Sequence, residues 1–161
     1  MKKYLLATVF LLPLSVQAAN KMSSHQVVEA FYTDLISNTG NDANLAERAA
    51  RVVSKNWESE PVPFGGPGLD GLVATLSGYH KVIPDLKWTP QDIRRAGPDH
   101  YVVRSIATGT PDADFLKMGT TFKKGNRFEI MAIDIHTLKK GRIVQTYHVE
   151  DWRKATAQLS Q

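Results

Sequence analysis

The chain has 161 residues, with 20 Lys and Arg against 16 Asp and Glu and no cysteine. That composition excludes disulfide stapling and thiol chemistry, while the length suits one domain with a real core. The net charge is only +4, and no basic cluster is interleaved with aromatics, which argues against a nucleic-acid partner.

In chain order, Met1-Lys2-Lys3 precedes an almost wholly apolar run from Tyr4 to Val16. Small residues at Val16-Gln17-Ala18 follow, the pattern of a secretory signal peptide cleaved after Ala18. The expected division is therefore 1–18 signal and 19–161 folded domain, with a periplasmic or secreted location. The apolar run is shorter than the roughly 20 residues of a membrane span, so no membrane association is expected once it is removed.

Ser23-x-x-Gln26 is a capping box opening a helix whose apolar face is Val28, Phe31, Tyr32, Leu35 and Ile36, ending near Asn38-Thr39-Gly40. Asp42 or Asn44 can cap a second short helix with Leu45, Ala49, Val52 and Val53 inward. Trp57 then leads into Pro61 to Gly68, a loop too rich in Pro and Gly for helix or strand, read as either a plain connector or a pocket rim. Leu69, Leu72, Val73, Leu76, His80 and Ile83 define a third helix stopped by Pro84. His80 falls on its buried stripe, as a satisfied core histidine or as an inward ionisable group of the site.

Strands follow at Leu86 to Arg94 and Tyr101 to Thr110, with Gly97-Pro98-Asp99 as the turn, and a further strand is possible at Leu116 to Phe122. On the second, Tyr101, Val103, Ser105 and Ala107 share one side. Arg127 to Trp152 reads as a hairpin around Lys139-Lys140-Gly141, and Asp151 can cap a terminal helix. Helices first and a meandering sheet after them make the class α+β.

A three-residue hairpin loop with Gly141 left-handed sets Leu138 opposite Arg142 and Thr146 opposite Asp134. Asp134, His136, Val144, Thr146 and His148 then share one face, and Ile133, Ile135, Ile143, Gln145 and Tyr147 the other. Asp134 and His148 become diagonal neighbours roughly 7–8 Å apart at the backbone. A carboxylate beside an imidazole is an acid–base pair, or else a solvated surface pair, and by pattern alone the isoleucine face is the one to expect in the core.

Particular residues resemble a known family. They are Val28-Glu29-Ala30-Phe31-Tyr32, Ile83-Pro84-Asp85-Leu86, Val102-Val103-Arg104 with Gly109-Thr110, and Asp134-Ile135 through Gly141-Arg142-Ile143-Val144 to Tyr147-His148 and Asp151. In this order they resemble the SnoaL-like polyketide cyclases (ester cyclases) of the nuclear-transport-factor-2-like superfamily. The resemblance implies a cone-shaped α+β barrel, a curved antiparallel sheet wrapped round N-terminal helices with a ligand in an apolar cavity. It also implies a carboxylate near the end of the last strand as general acid/base, with a histidine across the hairpin. Carried over from Gly141, His148 stands in the carboxylate's place and Asp134 in the histidine's, so the pair is exchanged. The Asp134 face should then look into the cavity, leaving the isoleucine face for a second copy in a homodimer.

The expected function is binding of a small hydrophobic molecule, with cofactor-free cyclase-, isomerase- or lyase-like chemistry on a carbonyl compound and His148 as base oriented by Asp134. Ketosteroid isomerase shares the broad fold, so the scaffold limits the reaction only loosely. His80, Arg104, His136, Tyr147 and Trp88 complete the expected ligand site, with Arg104 as anchor for an oxygen anion or as a surface ion-pair partner. A metal site from Asp134, His136 and His148 lacks the stock ligand spacings, so no metal is expected. A noncatalytic periplasmic binding module is the competing reading.

Overall fold

The computed structural model describes residues 21–112 and 122–161. The signal peptide expected at 1–18, and all but the last residue of the strand considered at Leu116 to Phe122, lie outside them.

The first helix begins where the capping box sets it: Ser23 Oγ accepts from the Gln26 backbone, and the Gln26 side chain accepts from the Ser23 backbone. Helix α1 (Ser24–Ala30) widens into a π-helical turn, Phe31–Ile36, closed by Ser37 N–H donating to the Tyr32 carbonyl at 2.9 Å. The wider turn buries Phe31, Tyr32, Leu35 and Ile36 together, and such π segments often occur at functional positions. A short 3₁₀ turn, Asp42–Asn44, leads into α2 (Leu45–Val52). Neither expected side-chain cap forms at α2: Asn44 occupies the N-cap position without a side-chain hydrogen bond, and the Asp42 carboxylate is engaged by His80.

Strand β1 (Val53–Glu60) corrects the sequence reading, which ended the second helix on Val53 and ran Trp57 into a loop. Helix α3 (Gly68–Val82) and strands β2 (Lys87–Arg95) and β3 (His100–Gly109) follow. The chain closes with β4 (Phe128–Lys139), β5 (Arg142–Glu150) and α4 (Trp152–Leu159), whose Asp151 cap accepts from Lys154 N–H at 3.0 Å.

The five strands form one sheet in the order β1-β5-β4-β3-β2. Neighbours are antiparallel except β1, which runs parallel to β5, so the sheet is mixed. Pro90 sits on the edge strand β2, where its missing N–H costs no ladder bond between two strands. One sheet face is buried: Val103, Ala107, Phe128, Ile130 and Ala132 pack with the helices' Val28, Leu35, Leu76 and Leu159. Among the described residues no helix is long and apolar enough to cross a membrane.

The hairpin loop is shorter than expected. Lys140 (φ 51°) and Gly141 (φ 74°) are both left-handed, which is a two-residue turn whose twist suits the flanking strands. A register shift between Thr137 and Leu138 leaves Val144 as an extra residue. That irregularity has two consequences. Ile143 pairs with Leu138 and is fully buried rather than outward, and Asp134 lies directly opposite His148 rather than diagonal to it.

The loop after β1 is held to α3 by glycines. A Cβ at Gly71 would overlap the Gly66 backbone, and one at Gly65 would press on the Gly71 carbonyl and on Ala74. Gly71→Ala should therefore cost about 1–3 kcal/mol in urea unfolding as the loop is forced off the helix.

Candidate functional site

Inner-face side chains of β4 and β5, the π-helical turn, β1 and α3 converge on a cavity of about 240 Å³. This lies just below the roughly 300–1,000 Å³ usual for drug-sized ligands, so the space suits a small molecule. Its walls are largely aromatic, with Phe31, Trp57, Tyr79, Trp88 and Trp152 among them, and Pro61, Val62, Pro63 and Phe64 form part of its lining. The Pro/Gly loop is thus a pocket rim, with Val62 and Phe64 also exposed to solvent. Asp134, Thr146, His148 and Glu150 supply a polar side.

Asp134 is 5% exposed. Among the described residues the one donor that reaches it is the Tyr32 hydroxyl, on Oδ2 at 2.9 Å. Burial pushes its carboxyl up to about 7, helped by the charge of Glu150; the Tyr32 hydrogen bond and His148 pull the other way.

Behind Tyr32 runs a chain of polar groups. Trp57 Nε1 meets Thr146 Oγ1 at 3.0 Å, Thr146 Oγ1 meets His136 Nδ1 at 2.9 Å, and His136 Nε2 meets the Tyr32 hydroxyl at 2.8 Å. An indole N–H can only donate and an ionised carboxylate can only accept, so with Asp134 charged the ends set the direction of the whole chain. Trp57 donates to Thr146, Thr146 to His136 Nδ1, His136 Nε2–H to Tyr32, and Tyr32 to Asp134. Burial drives the His136 pKa down to about 3, with the charge of His148 adding to it, which keeps the ring neutral as this order requires. His136 does not line the cavity; it supports the residue that supports Asp134.

His148 has both nitrogens engaged. Nε2 donates to the Pro61 carbonyl at 3.0 Å, and Nδ1 faces Glu150 Oε1 at 2.5 Å. Burial disfavours the charged ring, but Glu150, the Pro61 carbonyl and Asp134 together outweigh it and hold His148 above the ordinary histidine value. The carboxylate that pairs with His148 is therefore Glu150, and not Asp134 as the sequence reading had it. One ligating atom each of Asp134, His148 and Glu150 lie within 4.8 Å of one another. This is a different trio from the metal set weighed on sequence, because the His136 nitrogens are spent on Thr146 and Tyr32.

The remaining expected residues divide. Trp88 lines the cavity, its indole N–H donating to Ser105 Oγ at 2.8 Å. His80 is buried away from it, clasped by Asp42 at 2.6 Å and by the Ile36 carbonyl at 3.0 Å, so it ties helices together. Arg104 is exposed, on the outer face of β3, and cannot anchor a ligand inside. Tyr147 also faces outward, 46% exposed. Sequence reasoning missed Tyr32 and Glu150 as site residues. Tyr32 read as an ordinary apolar-face residue, whereas Glu150 lies two beyond His148 on the same strand face and was open to recognition.

A family model, SnoaL-like polyketide cyclase, matches residues 26–159, and the chain belongs to that family. Its fold is the nuclear-transport-factor-2-like, ketosteroid isomerase-like one, shared with several solved structures. IdmH of Streptomyces antibioticus is 23% identical, with TM-score 0.69 over 87% of this chain and 100% of its own. A SnoaL-like polyketide cyclase of Agrobacterium tumefaciens is 20% identical, with TM-score 0.67 over 86% and 98%. A Catenulispora acidiphila protein with a ketosteroid isomerase-like fold, solved with trimethylamine, is 14% identical, with TM-score 0.62 over 83% and 92%. Among curated proteins no sequence relative matches.

The raised carboxyl has a thermodynamic signature. The folded Asp134 binds its proton more tightly than the unfolded chain does, so its contribution to stability falls as pH rises from about 4 through about 7. His136, depressed to about 3, acts oppositely, favouring the fold as pH rises from about 3 to about 6.5. Comparing wild type with Asp134→Asn in thermal melts isolates the carboxyl: the variant should gain on wild type steadily between pH 4 and pH 7.

Proposed function

We propose that this protein is an exported acid–base enzyme acting on a small, largely apolar carbonyl compound, with Asp134 as the group that moves the proton. The supporting observation is a carboxyl held near pH 7 at the wall of an aromatic cavity, where both its charged and neutral forms are available at neutral pH. In this reading ionised Asp134 removes a proton from the carbon next to the carbonyl, and the electron pair moves onto oxygen to give an enolate. Tyr79 lines the same cavity as a neutral phenol, whose O–H is the kind of donor that could stabilise that oxygen. Asp134 then returns its proton to a different carbon, or the enolate carbon attacks a second carbonyl and the alkoxide so formed takes the proton back from Asp134, as a cyclase requires. His148, with both nitrogens committed, orients the Pro61 loop and Glu150 rather than serving as the base.

Small ketones followed by nuclear magnetic resonance in deuterated water test this. Deuterium should enter the α-carbon at a rate that rises as pH passes about 7, and Asp134→Asn should lower it by at least about 100-fold. Binding without exchange would leave the alternative reading, a noncatalytic periplasmic ligand-binding module. Export itself rests on the apolar stretch at Tyr4 to Val16.

A homodimer through the outer sheet face belongs to the same proposal. Met131, Ile135, Tyr147 and Val149 are 40–64% exposed on that face, an apolar surface that a second copy would cover. Val149→Glu should convert a dimer into a monomer in sedimentation velocity, with the circular dichroism spectrum unchanged.

A further inference from the structure

The cavity's chemistry specifies more about its ligand than size and greasiness. All three tryptophans of the chain, Trp57, Trp88 and Trp152, line it. Neighbouring rings meet at steep angles: Trp88 and Trp152 at 68° with centroids 6.1 Å apart, Phe31 and Trp57 at 51° and 6.5 Å, Phe64 and Tyr79 at 78° and 6.4 Å. Such walls enclose a box rather than a parallel-sided slot, which suits a compact, rounded group better than a flat one stacked between rings.

The charges in the lining are unbalanced. Among the described residues no Lys or Arg reaches the cavity, and its one cationic side chain, His148, is already matched by Glu150 and the Pro61 carbonyl. Asp134, the second carboxyl, accepts one hydrogen bond, from the Tyr32 hydroxyl, and shares the charge of His148 with Glu150, so two carboxyls face one cation. An anionic ligand would meet two carboxyls and no free cation. A ligand with positive charge would find one carboxyl more than the cavity's single cation can match, together with the negative faces of aromatic rings, which attract compact ammonium groups.

We infer that the ligand of this cavity carries a compact protonated or quaternary amine, seated among Trp57, Trp88 and Trp152 with Asp134 as its counter-charge. The inference rests on the proposed reading in that it names the substrate class for the same site, an aminated carbonyl compound. It concerns binding, however, and stands or falls separately from turnover.

Because every tryptophan lines the cavity, intrinsic fluorescence of the full chain reports occupancy directly. Three probes of matched shape serve: choline, its uncharged carbon isostere 3,3-dimethylbutan-1-ol, and the anion 3,3-dimethylbutanoate. Choline should bind at least about ten-fold more tightly than the alcohol, and the anion should bind weakest. Asp134→Asn, with folding checked by circular dichroism, should bring choline and the alcohol to within about two-fold. Alcohol binding equal to or tighter than choline, or a preference for the anion, overturns the inference even if ketone exchange is observed. Preferential choline binding without any exchange upholds it and removes the acid–base reading instead.

Discussion

The burial of one carboxyl group, Asp134, is the constraint around which the polar interior is arranged. A carboxylate nine-tenths or more out of water is costly unless something donates to it, and here a single hydroxyl does so. That hydroxyl can face Asp134 only if its own oxygen accepts from His136, and His136 can donate at Nε2 while neutral only if Nδ1 accepts from Thr146. Each group has its partner because the next one does. Breaking any link leaves a buried polar atom unsatisfied, at about 1–3 kcal/mol.

Four pieces of the chain that are distant in sequence must meet for this to work. The π-helical turn carries Tyr32, β4 carries Asp134 and His136, β5 carries Thr146, and β1 carries Trp57. The parallel pairing of β1 with β5 is therefore more than an architectural detail. It brings the Trp57 indole onto Thr146, and so supplies the donor that starts the chain. The same strand runs into the Pro61 carbonyl that holds His148, tying the cavity rim to the polar wall.

The site combines two electrostatic regimes a few ångströms apart. On β5, His148 and Glu150 neutralise each other and hold a fixed geometry. On β4, burial raises the proton affinity of Asp134 further than the Tyr32 hydrogen bond and the charge of His148 lower it. A fold that hosts varied chemistry on one scaffold can do so because such local arrangements, and not the scaffold itself, decide what a carboxyl does.

The capping box at Ser23, the stripe of α3, the hairpin around Gly141 and the period-2 alternation of β3 were legible from local pattern, since each depends on residues near one another in sequence. The inward direction of the Asp134 face was not, because the outer isoleucines looked the better core; the family resemblance, and not periodicity, pointed to it. Strand β1 was obscured because an edge strand needs few apolar residues, and Val53 and Trp57 are its only two. What tertiary structure alone decided was partnership: Glu150 for His148, Tyr32 for Asp134, Asp42 for His80, and solvent for Arg104 and Tyr147. Local sequence determines which way a side chain points along its own element. The group it meets depends on a one-residue bulge at Val144 and on the parallel pairing of β1 with β5, two neighbouring strands that are far apart in sequence, and neither leaves a local mark.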